Sequence, residues 1–398
     1  MSVRNGDLTV LLPLKGRADY TQRWMEYAEA TFLPFKVLIA DGSQDDGVAA
    51  LLADRHRYPH VDYEYLRYEP DQHYADYYAK LEDASSRIRT PYAVMIDNDD
   101  FLVADALSDA LRFLDAHPSH VACGGQFALF WLGQKSAHDN ALHGGRIEWK
   151  AHRCDASNAA QTARERLREL ALGDSETCFY LVKRTALLQA QFRSLRELSI
   201  DDLFLMETLL YFLTTIAGKT ERLGGLQIAR QMNSPGSSAG RHAADSGDSY
   251  DRVLSPTWSS DFGKFLRATG AALAERDAIA PAEARRLVIA AYRSYAAIPL
   301  YDALLAEPTI TMRTAVVYPL VRRAMAWLTR LPAQHVLRSA LRRTFRLAHW
   351  IPYEAVQGGR LVVAKVPDAA AAMASIDRFL ATRRSSKDYA GKIPTSGT

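Results

Sequence analysis

The sequence predicts an α/β protein with a parallel sheet, extended by a helical C-terminal region. Three observations carry this. Short apolar runs alternate with helically spaced segments over about the first hundred residues. Turn and acidic residues follow two of those runs, at Asp41-Gly42-Ser43 and at Asp97-Asn98-Asp99-Asp100. Beyond about Asp261 the alternation stops and helical spacing continues.

Leu8–Leu12 is apolar, partly β-branched and stopped by Pro13, which suits a strand buried on both faces. Tyr20–Thr31 has helical spacing, with Trp24, Tyr27 and Ala28 on one side. Phe35–Ala40 is the second strand, ending at the Asp-Gly-Ser turn signal. Val48–Asp54 reads as a short helix, Val61–Arg67 as an alternating strand, Tyr74–Ile88 as a helix and Pro91–Ile96 as the next strand. Leu107–Ala116 is helical, and Val121–Leu132 is a strand interrupted by glycines. Gln161–Leu172 is a charged helix, Phe179–Val182 a short strand and Ala186–Ser194 a helix. Ser199–Ala217 is a strong helix with Ser199 as its N-cap. Ser234–Asp248, rich in Ser, Gly and Ala, is a loop. The domains expected are 1–260 (α/β), 261–383 (helical) and 384–398 (a disordered tail).

The chain has 398 residues and 48% apolar content, ample for a core. A net charge of +3 does not mark a nucleic-acid binder, and no reader motif is present, so no nucleic-acid partner is expected. Cys123, Cys154 and Cys178 show neither CxxC nor finger spacing, which fits a reducing compartment. The N-terminal apolar run is too short for a signal peptide, and no apolar stretch approaches the ~20 residues of a membrane span. A soluble or peripheral cytoplasmic protein is the expectation.

In open parallel sheets, ligands bind beyond the carboxyl ends of the strands. Asp41 and Asp97 each follow a strand, so both belong on that edge. LTVLLPLKGR, VLIADGSQDD and PYAVMIDNDDFL, in this order and spacing, resemble the family 2-type glycosyltransferases, whose catalytic domain has the GT-A (nucleotide-diphospho-sugar transferase, Rossmann-like) fold. Lys80, one helix before the DxD, is similar to a basic residue of that family. The resemblance covers roughly residues 8–231.

The resemblance implies a metal-dependent transfer of a sugar from a nucleotide-sugar donor to a glycan or lipid-linked acceptor, with inversion. Asp97 and Asp99 are the DxD pair that would hold Mn²⁺ or Mg²⁺; Asp100 could share the role, and His242 is a third candidate ligand. Hard divalent cations favour such oxygen ligands and can neutralise a departing diphosphate. Asp41 would contact the nucleotide, with Pro13 and Asn98 lining the same pocket. Lys15, Arg17, Lys80 and Arg230 are candidate diphosphate or sugar contacts. Asp202, with Asp201 second, would be the general base that deprotonates the acceptor hydroxyl. The rival readings are a sugar-nucleotide nucleotidyltransferase, against which the single glycine of LPLKGRADY counts, and a catalytically inactive GT-A-like binding module.

No acidic residue stands between Glu307 and Glu354, an interval with eight arginines among aromatic and aliphatic residues. That composition suits an interfacial segment on an anionic membrane, at the inner face of the plasma membrane. A basic helical subdomain packed on the core is the alternative. Pro319, Pro332 and Pro352 break the segment into short helices.

Overall fold

The computed structural model describes residues 5–133, 142, 146–152, 157–172, 178–235, 252–253, 255–306 and 369–390. The architecture is a mixed α/β sheet with helices, followed by a helical C-terminal part. The strands are β1 (Leu8–Leu14), β2 (Lys36–Asp41), β3 (Tyr63–Arg67), β4 (Tyr92–Met95), β5 (Phe101–Leu102), β6 (His120–Gly133), β7 (Arg146–His152), β8 (Val182–Arg184) and β9 (Lys219–Gln231). They form one sheet in the order β3-β2-β1-β4-β8-β6-β9-β5, with β7 paired to β6. The first four strands are parallel, with helices α1 (Ala18–Ala30), α2 (Gly47–Leu52) and α3 (Tyr74–Ser86) among their connections, and α4 (Ala104–Ala116) and α5 (Ala163–Leu172) follow. This is the alternation expected of the N-terminal hundred residues. β8 then runs antiparallel between β4 and β6.

Pro13 does not end β1, which continues to Leu14 in register with Asp41. Leu11 accepts from Ile96 of the β4 side, and Leu14 from Gly42 of the β2 side. By alternation Pro13 therefore faces β4, whose pairing has already ended at Leu11. Its missing N–H costs no ladder bond.

The glycines of β6 do not break that strand either; they fall at register shifts against β9. Residues 178–180 form a 3₁₀ turn rather than a strand, and β8 follows. The helix expected from Ser199 is two elements. Ser199 closes α6 (Thr185–Leu198) in the left-handed conformation, φ 48°, and α7 runs Leu203–Ala217. Asp202, in extended conformation, is the actual N-cap: its carboxylate accepts from the Leu205 N–H at 2.8 Å. Asp is as good a cap as Ser, so the first hydroxyl before an apolar run is not a unique signal.

The main core is continuous from the sheet into helix α8 (Pro256–Asp277) and helix α9 (Pro281–Ala306), through Phe265, Leu273, Ala284 and Val288. The boundary expected at 260 thus falls inside α8. A second cluster joins Tyr27, Phe101, Phe130 and Leu132 to Ile376 and Leu380 of helix α10 (Ala369–Ala390). The chain therefore returns to the sheet after residue 368, and the helix runs past residue 384, where a disordered tail was expected. The basic interval 308–353 lies outside the described residues. No described helix is long and apolar enough to cross a membrane.

Candidate active site

The carboxyl ends of β1 and β4, the turn after β4, the start of α7 and the end of β9 surround a cleft of about 580 Å³. Three carboxylates share its floor. Asp97, Asp99 and Asp100 each offer an oxygen, and these oxygens lie within 4.8 Å of one another. The turn that carries them is short because β5 begins at Phe101, whose buried ring is clamped by Tyr27 and Phe130.

Each carboxylate is held. Asp97 accepts from the Tyr180 hydroxyl at 2.6 Å. Asp99 accepts from both terminal nitrogens of Arg17, at 3.2 and 3.1 Å, and from the Ser234 hydroxyl. Asp100 accepts from the Gln231 N–H at 3.0 Å and from Arg230 Nε at 3.3 Å. Burial pushes the Asp97 carboxyl up, with the Asp99 charge adding to it. Burial pushes Asp100 well up against the opposing pull of Arg230. Burial works against the Arg230 cation, but Tyr180, Asp100, Asp97 and Glu207 outweigh it and raise its pKa.

The backbone of this turn is pinned from α1. Arg23, 1% exposed, donates to the Asp99 carbonyl at 2.8 Å and to Gln231 Oε1 and the Leu142 carbonyl at 2.7 Å each. Asn98 donates to Thr21 Oγ1 at 3.1 Å and to the Arg17 carbonyl at 3.4 Å.

Of the residues anticipated from sequence, Pro13, Lys15, Arg17, Asp97, Asn98, Asp99, Arg230 and Asp201 line the cleft. Asp41, Lys80 and Asp202 are not among the lining residues; they stand one layer behind it. Asp41 is fully buried, and its oxygens accept from the Ser43 N–H and hydroxyl, the Tyr65 hydroxyl and Arg67. Ser43 in turn accepts from the Gly16 N–H at 2.7 Å, so Asp41 organises the loop that faces the cleft. The Lys80 ammonium is committed to Asp71 and to the Leu14 carbonyl at 2.7 Å. Asp71, not Lys80, reaches the lining. Its carboxylate packs so closely on Gly42 that a Cβ there would meet it at 2.4 Å.

The acidic pair before α7 is divided by its geometry. Asp202 turns toward its helix and pairs with Arg252 at 3.0 Å. Asp201 is exposed and lines the cleft. Backbone N–H groups of both donate to Asp261 of α8, at 2.7 and 3.2 Å, which fixes the approach of the pair to the cleft. Of the pair, it is Asp201, placed second in the sequence reading, that borders the cleft. His242 lies outside the described residues.

Several lining residues escaped the sequence reading, Glu207, Tyr77 and Met206 among them. Tyr180 reaches Asp97 from the 3₁₀ turn at residues 178–180. Glu207 sits in α7 amid apolar residues that hide it as a helix-face charge; burial pushes its carboxyl up to about 7, against Arg230. Tyr77 and Met206 complete the apolar wall.

No family model matches the sequence, and no curated protein matches it. Solved structures that resemble it include Staphylococcus aureus TarS (11% identity, TM-score 0.46, 86% of this chain and 54% of that one). TarS 1-349 in complex with UDP-GlcNAc is another (12%, 0.44, 86% and 87%). A third is the mannosyltransferase PcManGT from Pyrobaculum calidifontis in complex with GDP-Man and Mn²⁺ (13%, 0.40, 91% and 88%). The chain thus spans about half the length of the first TarS structure.

Proposed function

We propose that the chain is a glycosyltransferase with a GT-A-type catalytic domain, moving a sugar from a nucleotide-diphosphate donor to a hydroxyl of a glycan or lipid-linked acceptor, with inversion. The observation that carries this is the trio Asp97, Asp99 and Asp100 on the floor of a cleft that Lys15, Arg17 and Arg230 also line. Its position beyond the carboxyl ends of parallel strands is where nucleotides bind in such sheets.

A donor set of carboxylate oxygens fits Mg²⁺ or Mn²⁺. Asp97 and Asp99, with Asp100, would hold the ion. When bound, such an ion offsets the negative charge that builds on a departing diphosphate. The chain's own residues supply the rest. Arg17, Lys15 and Arg230 face the diphosphate, and Pro13 and Asn98 border the nucleotide side. Asp41 and Lys80 keep that wall in shape from behind. Asp201 takes the proton of the acceptor hydroxyl, because it is the member of the acidic pair that opens to the cleft. Glu207 is a second, half-buried carboxylate on that side, and its pKa, raised to about 7, suits proton exchange near neutrality.

Thermal shift with UDP and GDP, with and without Mn²⁺, tests donor binding. Asp99→Ala is expected to abolish the metal-dependent shift; an unchanged shift would remove the assignment of the acidic floor. Asp201→Asn is expected to retain nucleotide affinity and lose roughly 10²–10⁴-fold in transfer, the usual worth of a general base. If Asp202→Asn alone causes that loss, the base is Asp202.

The basic interval 308–353 supports a cytoplasmic location against an anionic membrane surface. Because α10 returns to the sheet, truncation near residue 305 would strip the core as well. Arg342→Gln, Arg343→Gln and Arg346→Gln together, in liposome flotation, leave α10 in place. Unchanged flotation would end the membrane proposal.

A further inference from the structure

Arg17 occupies an unusual position. It follows Gly16, φ 73°, and is itself left-handed at φ 63°, a conformation that is strained for a non-glycine residue. This backbone directs its guanidinium over the Tyr20 ring at 4.0 Å and both terminal nitrogens onto one oxygen of Asp99. Its Nε is buried and has no hydrogen-bond partner. The side chain retains 18% exposure on the cleft side. A strained residue thus holds a cation on one acid of the floor, while one of its own donors is left unsatisfied.

We propose that Arg17 is the resident counter-cation of Asp99 and leaves it for the diphosphate when the donor binds, so that cation and nucleotide bind as a linked pair. This rests on the donor-binding reading above. In the ligand-free protein the guanidinium opposes any second cation at Asp99 by simple repulsion. A diphosphate offers Arg17 several anionic oxygens, matches its planar fork and gives Nε a partner. Once Arg17 has moved, Asp99 regains its full charge. The consequence is reciprocal: nucleotide raises metal affinity by the same factor by which metal raises nucleotide affinity.

The test is calorimetric titration of the full chain with Mn²⁺ alone, with UDP or GDP alone, and with each nucleotide at saturating Mn²⁺. Wild type and Arg17→Gln are compared, with Arg17→Lys as a charge-retaining control. Arg17→Gln is expected to bind Mn²⁺ alone at least about tenfold tighter, because even at a water-like dielectric a unit charge a few ångströms away repels a divalent ion by that factor. It is expected to bind nucleotide at saturating Mn²⁺ about tenfold weaker. Arg17→Lys should keep Mn²⁺ affinity near the wild-type value. A gain in affinity cannot come from misfolding, so the sign alone separates this role from a structural one. Unchanged or weaker Mn²⁺ binding by Arg17→Gln, with metal-dependent nucleotide binding intact in wild type, overturns the role of Arg17 and leaves donor binding standing. Absence of any metal-dependent nucleotide binding in wild type overturns both.

Discussion

Replacing Arg23 by methionine should destabilise the fold and loosen the acidic turn together. The guanidinium is enclosed between the rings of Tyr20 and Phe101, at 4.7 and 4.9 Å. Its removal takes a donor away from three buried acceptors: the Asp99 and Leu142 carbonyls and Gln231 Oε1. A buried acceptor left unpaired costs roughly 1–3 kcal/mol. An opposing effect exists, because burying a cation is itself unfavourable: burial lowers the Arg23 pKa to about 10. Methionine removes that penalty and refills much of the volume. Taking the lower part of the range for three acceptors, and allowing for this relief, the net loss is about 2–4 kcal/mol. Arg23→Lys can serve one or two of the acceptors and should lose about half as much. Urea unfolding followed by tryptophan fluorescence reads the change, since Trp24 is buried next to the site. The same variant should weaken Mn²⁺ binding, because Gln231 holds Asp100 and Arg23 holds Gln231. A loss under about 1 kcal/mol, with Mn²⁺ affinity unchanged, would refute the claim that Arg23 pins the turn.

Other consequences are equally direct. Glu207, raised from 4.5 to about 7, retains its proton in the folded protein where the unfolded chain has lost it. Its stabilising contribution is full below pH 4.5 and is lost as pH rises through about 7. Glu207→Gln should therefore flatten the pH dependence of stability over that window and gain on wild type by up to about 3 kcal/mol at pH 8; parallel curves for the two proteins would count against a raised Glu207 pKa. Leu380→Ala in α10 should cost about 2–5 kcal/mol, because the side chain is fully buried in the cluster around Phe101 and Tyr27. A change near zero in urea unfolding would mean that α10 does not dock on the sheet in solution.

How much of this could be read from sequence depends on how local the deciding force is. Strands β1 to β4 and the helices between them are legible because burial on a parallel sheet requires unbroken apolar runs, and a helix requires its own spacing. The acidic turn after β4 is legible for the same reason: carboxylates directly after a buried strand have to sit at its end. Chain direction alone then places Asp97 on the same edge as Pro13 and Lys15. The element boundaries near Ser199 were not legible, because serine and aspartate compete on equal terms as caps and only packing against α8 selects Asp202.

Side-chain roles divide along the same line. That Asp41 belongs near the site followed from its place after β2, whereas Lys80 was expected there on the family resemblance alone. That they stand behind the wall, and Asp71 on it, depends on which partner lies within reach across the fold: Arg67 and Tyr65 for Asp41, Asp71 for Lys80. Arg23 and Glu207 gave no sequence signal, since each looks like an ordinary helix residue; Arg23 takes its role only when segments 76 to 208 residues away meet it. The sequence by itself determined where acids and strands end together, through periodicity and turn chemistry. Only tertiary structure decided which charges face the cleft, because pairing energies in a buried setting depend on distances that no local pattern encodes.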